Sequence, residues 1–287
     1  MPRSRMLRTS ITLLASAAVW FHANAAAPYA SAQDGNGKPA VQEPTQDPNQ
    51  LFEPREFNGA KGGTLKYRLL KPKGYNPERK YPVVIFLHGA GERGADNKAQ
   101  LKHGMAEFCK TEWRDRYPCY VIAPQCPEGR KWSEVDWSAP SSTLPEKISE
   151  PLGLTLELVD AMIADAAVNP NRIYLTGLSM GGYGTWDALA RRPEFFAAAI
   201  PICGGGDPKT AAKFAKVPLW CFHGDDDKAV AVNRSREMIE ALKTAGGEPK
   251  YTEYPGVGHD SWTRTYANPE VIDWMFRQLL SKASDSQ

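Results

Sequence analysis

Ser179 sits in Gly177-Leu178-Ser179-Met180-Gly181, one hydroxyl in a glycine-rich turn. The turn lies between a run that reads as a buried strand, Arg172–Thr176, and a helix-compatible segment, Gly181–Ala190. A serine adds little to packing there, and glycine weakens either kind of neighbour. A strand-to-helix turn this tight puts its central residue in a strained backbone, and side chains two positions to either side would clash. The hydroxyl is then held out at the end of a sheet near a helix N-terminus, where a nucleophile for acyl transfer belongs. Small residues cluster by chance, so the flanking strand and helix carry the weight of this reading.

A serine hydroxyl attacks well only when a neighbouring base takes its proton. His88 and His223 each end an apolar strand-like run and precede glycine, the setting of residues that brace loops. His103 lies in the segment Lys98–Cys109, away from any strand end. His259 remains, in Pro255-Gly-Val-Gly-His-Asp260, where two glycines let the chain bend so that an imidazole reaches across. It is the expected general base, later the acid for the leaving group. Its other nitrogen needs an acceptor, and Asp225, Asp226 and Asp227 crowd one loop after Pro218–Phe222. Asp227, three residues beyond Gly224, has room to turn back over the sheet, and Asp226 is the alternative. The order serine, aspartate, histidine is the one this kind of sheet uses.

The negative oxygen of a tetrahedral intermediate needs backbone donors about 3 Å away. Met180, next after the serine, supplies one amide, and Ala90 in His88-Gly-Ala-Gly91 the other. A phosphate cradle is the competing reading of these glycines, but no G-K-[ST] ending or G-x-G-x-x-G pattern follows a first strand.

The elements that must position these groups alternate. Strands are expected at Leu65–Leu70, Tyr81–Leu87, Tyr120–Ala123, Arg172–Thr176, Ala197–Ile202, Pro218–Phe222 and Lys250–Tyr254. Helices are expected at Leu154–Ala167, Gly181–Ala190, Asn233–Thr244 and Val271–Leu280. That rhythm is an α/β fold, a mostly parallel central sheet with helices on both faces, whose chemistry gathers beyond the carboxyl ends of the strands. The stretch Pro124–Glu150 shows no periodicity and is expected to overhang that end, since structureless loops this long are uncommon unless they do a job.

At the amino terminus, Arg3, Arg5 and Arg8 precede an apolar run, Ile11–Phe21, and then Ala23-Asn-Ala25. This reads as a secretory signal peptide over residues 1–25, too short to remain as a membrane span. Residues 26–50 read as a flexible linker, and 51–287 as a single catalytic domain. The net charge of +2 is scattered, leaving no basic stripe for nucleic acid. Of the five cysteines, up to two disulfides are possible after export, with one thiol left over. No cysteine or histidine pair has zinc spacing, so neither metal nor cofactor is expected.

Four stretches together, LHGAGERG at Leu87–Gly94, GLSMGG at Gly177–Gly182, FHGDDD at Phe222–Asp227 and GVGHDSW at Gly256–Trp262, resemble the α/β-hydrolase superfamily. Within it the chain is similar to exported esterases related to polyhydroxybutyrate depolymerases and to feruloyl or acetylxylan esterases, a group also labelled predicted peptidases of the prolyl-oligopeptidase or dienelactone-hydrolase type. The resemblance covers about Asn58 to Leu280. It implies Ser179, Asp227 and His259 as a catalytic triad, Ala90 and Met180 as oxyanion donors, and a small-molecule or carbohydrate-linked ester as substrate. The chain departs from dienelactone hydrolases in having serine, not cysteine, as nucleophile. It departs from lipases in having no long apolar lid segment, and it lacks the length for a propeller domain. Trp132, Trp137, Trp186 and Trp262 are expected as aromatic walls for an aryl acyl group or a sugar face, with Glu92 as a polar contact at the rim. The other readings are a serine peptidase using the same triad, a polyhydroxyalkanoate-oligomer esterase, and a non-catalytic binder, which retention of all three triad candidates disfavours.

Overall fold

The run Tyr81-Pro-Val-Val-Ile-Phe-Leu87 has nothing to turn toward water, and as a strand it is buried at all 7 positions. Its alternate side chains serve different cores: Val83, Ile85 and Leu87 join one apolar cluster, Val84 and Phe86 another. The structure is a computed structural model that describes residues 46–280 apart from Ser138 and Ala166. The expected signal peptide and most of the expected linker lie outside these residues.

The strands are β1 (Glu53–Asn58), β2 (Thr64–Leu70), β3 (Tyr81–Leu87), β4 (Tyr120–Pro124), β5 (Val168–Leu178), β6 (Ala198–Ile202), β7 (Trp220–Gly224) and β8 (Lys250–Tyr254). They form one sheet in the order β1-β2-β4-β3-β5-β6-β7-β8. The pairs β1–β2 and β2–β4 are antiparallel, and from β4 to β8 every pair is parallel. The helices are α1 (Pro48–Leu51), α2 (Met105–Cys109), α3 (Thr111–Arg116), α4 (Glu150–Asp165), α5 (Met180–Arg191), α6 (Ala211–Phe214), α7 (Asn233–Thr244), α8 (Ser261–Ala267) and α9 (Pro269–Arg277). Leu158, Trp186, Phe214 and Met238 bring α4 to α7 onto the cluster containing Ile85 and Leu175. Phe108, Trp113, Tyr266 and Met275 bring α2, α3, α8 and α9 onto the other face, with Phe86 and Tyr174. Covered on both sides, the parallel strands read in sequence as near-continuous apolar runs.

Several elements differ from expectation. Strand β1 was not expected, because EPREFN offers water most of its length and is organised by pairing with β2. Helix α1 begins inside the segment expected as linker, with Asp47 accepting from the Asn49 amide as its N-cap. The short helices α2, α3 and α8 span too few turns to show a period. Cys109, Cys119, Cys126, Cys203 and Cys221 are all free and buried, so the disulfides considered from the sequence do not form.

Between β4 and α4 the described residues form no helix or strand. Side chains hold this stretch instead: Trp132 Nε1 donates to His88 O, and Ser149 Oγ to Trp132 O. Ser133 Oγ also donates to the Asp187 carboxylate. Between β6 and β7 lie only a 3-10 turn, Pro208–Thr210, and α6, so no large lid is present there. Among the described residues no helix is long and apolar enough to cross a membrane.

Candidate active site

Strand β5 stops at Leu178 and α5 starts at Met180, leaving Ser179 alone in the turn at φ 53°, ψ −115°. A backbone so rarely populated costs about 1–3 kcal/mol and persists only where its surroundings dictate it. They do: a Cβ on Gly177 would lie 2.4 Å from Gly181 O, and one on Gly181 only 1.8 Å from Leu87 O. The amide of Ser179 donates to Ile202 O at 2.9 Å, fastening the turn to β6.

Two further loops converge on the hydroxyl. His259 Nε2 lies 2.9 Å from Ser179 Oγ, and His259 Nδ1 lies 2.6 Å from Asp227 Oδ2. The imidazole stands just before α8, whose first turn is capped by Asp260. Of the three aspartates, each has a different task. Asp225 Oδ1 accepts from the Gly256 amide. Asp226 points outward to pair with Lys228, its side chain 61% exposed. Asp227 turns inward with no exposed side-chain surface, Oδ1 accepting from the Ala229 and Val230 amides and Oδ2 within 3.2 Å of His223 Nε2. Burial pushes its carboxyl up, but hydrogen bonds from His223, His259 and the Val230 amide outweigh that and hold it well below the usual carboxylate range. Nδ1 of His259 therefore meets a fixed anion, which leaves Nε2 to face the serine as acceptor.

The loop after β3 abuts the serine. A Cβ on Gly89 would come within 2.9 Å of Leu178 Cδ1 and 3.8 Å of Ser179 Cβ, so only a bare backbone fits. Ala90 opens a 3-10 turn, Ala90–Glu92, and Met180 opens α5. Neither amide has an acceptor among the described residues, the condition for a developing oxyanion to claim both. His88 sets the loop. It is buried, with Nδ1 2.6 Å from Gly89 O and Nε2 accepting from the Cys126 amide at 2.9 Å. Burial lowers its pKa to about 4, so the ring stays neutral. Arg93 Nε donates to Ala90 O at 2.9 Å and closes the same turn.

The four tryptophans part ways. Trp132 and Trp186, expected as pocket walls, are instead core residues. Trp132 is wholly buried with its indole on His88 O, and Trp186 packs on Phe214 beneath α5. Trp137 is half-buried, beside Tyr183 and under the Lys131 ammonium. Trp262 is half-buried, with its ring centroid 5.2 Å from that of His259. Glu92, expected as a polar contact at the rim, is buried against the loop after β3. His103, set aside from the sequence as lying away from any strand end, is 3.5 Å from Glu92 and 5.4 Å, ring to ring, from Trp262. No periodicity marks it, since it belongs to a turn between short helical segments. Cys203, at φ 40°, lies close to Asp227 and His259. Its sulfur, with Asp227 and His259, forms the one grouping among the described residues that could hold a metal ion. The Asp227–His259 hydrogen bond already occupies two of those three ligands, and burial pushes the thiol well above its usual range.

Comparison with known proteins places the chain in a family. Residues 75–268 match the phospholipase/carboxylesterase family. The chain belongs to that family. It is a carboxylic ester hydrolase of the α/β-hydrolase fold. It is 26% identical over 225 residues to carboxylesterase SOBER1 of Arabidopsis thaliana, covering 70% of this chain and 92% of that one. To poly(3-hydroxyalkanoate) depolymerase C of Paucimonas lemoignei it is 27% identical, over 61% of this chain and 45% of the depolymerase. The crystal structure of a thermostable esterase superposes with TM-score 0.75 at 42% identity. That match covers 80% of this chain and 64% of the esterase, so the chain spans just under two thirds of that protein.

Proposed function

We propose that this family member is an exported serine esterase that works through an acyl-enzyme, with Ser179 as nucleophile, His259 as general base and acid, and Asp227 as its orienting anion. The observation that carries the reading is the unbroken hydrogen-bond series Ser179–His259–Asp227, at 2.9 and 2.6 Å. In the first half-reaction Ser179 Oγ attacks the ester carbonyl as His259 Nε2 takes its proton. The amides of Ala90 and Met180 hold the oxyanion, worth roughly 2.7–4 kcal/mol per donor in a comparable hydrolase. The imidazolium, stabilised by Asp227, then protonates the departing alcohol. Water activated by the same Nε2 releases the acid and restores the serine.

The substrate class is a short-acyl, acetyl or feruloyl ester carried on carbohydrate. Half-buried Trp262 supplies an apolar face beside His259, and a site with no large lid fits substrates met in solution. Export is read from the arginine-rich, apolar and Ala-Asn-Ala pattern of residues 1–25. Hydrolysis of p-nitrophenyl acetate tests the assignment: Ser179→Ala is expected to lower kcat/KM at least about a thousandfold. Wild-type turnover in that variant would overturn it.

A further inference from the structure

Glu92 carries a carboxylate whose side chain is 6% exposed, and its one ion-pair partner among the described residues is His103 Nε2, 3.5 Å from Oε1. Carboxylates this deep usually collect more partners than that. Its position gives it a use. A Cβ on Gly89 would lie 3.0 Å from Glu92 Oε2 and 3.8 Å from Ser179 Cβ, so carboxylate and serine flank the same piece of backbone. From Glu92 the side chains run on through His103, 28% exposed, to Trp262 and then to His259, whose ring meets Trp262 edge-on at 89°. A continuous wall thus joins the oxyanion loop to the histidine.

Its chemistry is mixed. Glu92 accepts, and His103 can donate or accept. The buried Trp262 Nε1–H has no acceptor among the described residues. Arg93, one position beyond Glu92, keeps a cation at the same turn. An alkyl group against this wall would leave polar groups unpaired. A substrate anion would meet the Glu92 carboxylate. Hydroxyl groups suit it, because each both donates and accepts, and a sugar ring offers a C–H face to an indole.

We propose that Glu92, His103 and Trp262 form the subsite for the alcohol part of the ester and select a polyhydroxylated alcohol, with Glu92 accepting from one of its hydroxyls. The side follows from the mechanism proposed above, on which this inference rests: the departing oxygen takes its proton from His259 Nε2, and Trp262 is the ring beside His259.

The test compares two acetates with the same acyl group, a monoacetate of methyl β-xyloside and cyclohexyl acetate, by release of acetic acid. The wild-type ratio of kcat/KM, sugar over cyclohexyl, is expected to be about ten or more, and Glu92→Gln to lower that ratio about tenfold, mainly through KM. Free methyl β-xyloside is expected to inhibit the wild-type enzyme competitively where equimolar cyclohexanol does not, a readout independent of how the variant folds. A wild-type ratio near one, a ratio unmoved by Glu92→Gln, or equal inhibition by both alcohols would overturn the subsite while Ser179-dependent hydrolysis of p-nitrophenyl acetate left the triad standing. Ester hydrolysis that survived Ser179→Ala would overturn the triad and the subsite together.

Discussion

Asp227 remains ionised without exposed side-chain surface because four donors face it, the His259 and His223 rings and the amides of Ala229 and Val230. Its carboxyl is held below the ordinary value, so the unfolded chain takes up the proton first as pH falls. The stabilisation is therefore complete above the unfolded pKa of roughly 4 and is lost as pH drops toward the folded value. Asp227→Asn removes the anion but keeps the shape, and its kcat is expected to fall by about 10⁴-fold. Asp226→Asn, altering an exposed pair with Lys228, is expected to stay within about twofold of wild type. Steady-state kinetics on one chromogenic ester separates the two. From sequence both aspartates were open, because spacing alone does not say which carboxylate a turn folds inward. What decides it is the pair of amides at Ala229 and Val230, which trap Asp227 after β7. His259 was reached by elimination, since the other histidines considered ended strands or lay away from them.

At the scale of elements, the loop after β3 depends on a histidine that must stay neutral. His88 in the folded protein resists protonation down to about 4, whereas an unfolded histidine titrates near 6.5. Stability is expected to decline as pH falls between those values, by about 3 kcal/mol from this residue, and to level off below. Urea unfolding at pH 7 and pH 4.5 measures the decline, and His88→Gln is expected to flatten it. This strand end was legible because Tyr81–Leu87 is apolar throughout and His88-Gly89 stops it. Strand β8 was legible for its bounding turns, and α7 for the apolar stripe and the glycines past its end. Strand β1 was not, because its conformation comes from pairing with β2 rather than from EPREFN. Trp132 of the Pro124–Glu150 stretch misled for a related reason. An aromatic in a loop has no period to say which way it faces, and Trp132 turned inward when His88 O offered its indole an acceptor. His103 reaches Glu92 and Trp262 only through tertiary packing.

For the molecule as a whole, the parallel sheet solves a problem of distance. Ala90 follows β3, Ser179 follows β5, Asp227 follows β7 and His259 follows β8, so groups scattered along the chain leave the sheet at its carboxyl edge. Two apolar layers make that edge rigid, and five buried thiols leave it independent of disulfides. The alternation of strand and helix was enough to foresee this edge, and the short motifs at the strand ends pointed to Ser179, Asp227 and His259; Glu92 was expected near the site, but its contact with His103 was not. In the proposed mechanism, packing activates one particular hydroxyl. Labelling with a fluorophosphonate followed by peptide mapping tests it most directly: a single adduct on Ser179 is expected, formed at least about a hundredfold more slowly in His259→Ala. An adduct on another residue, or labelling as fast in Ser179→Ala as in wild type, would contradict it.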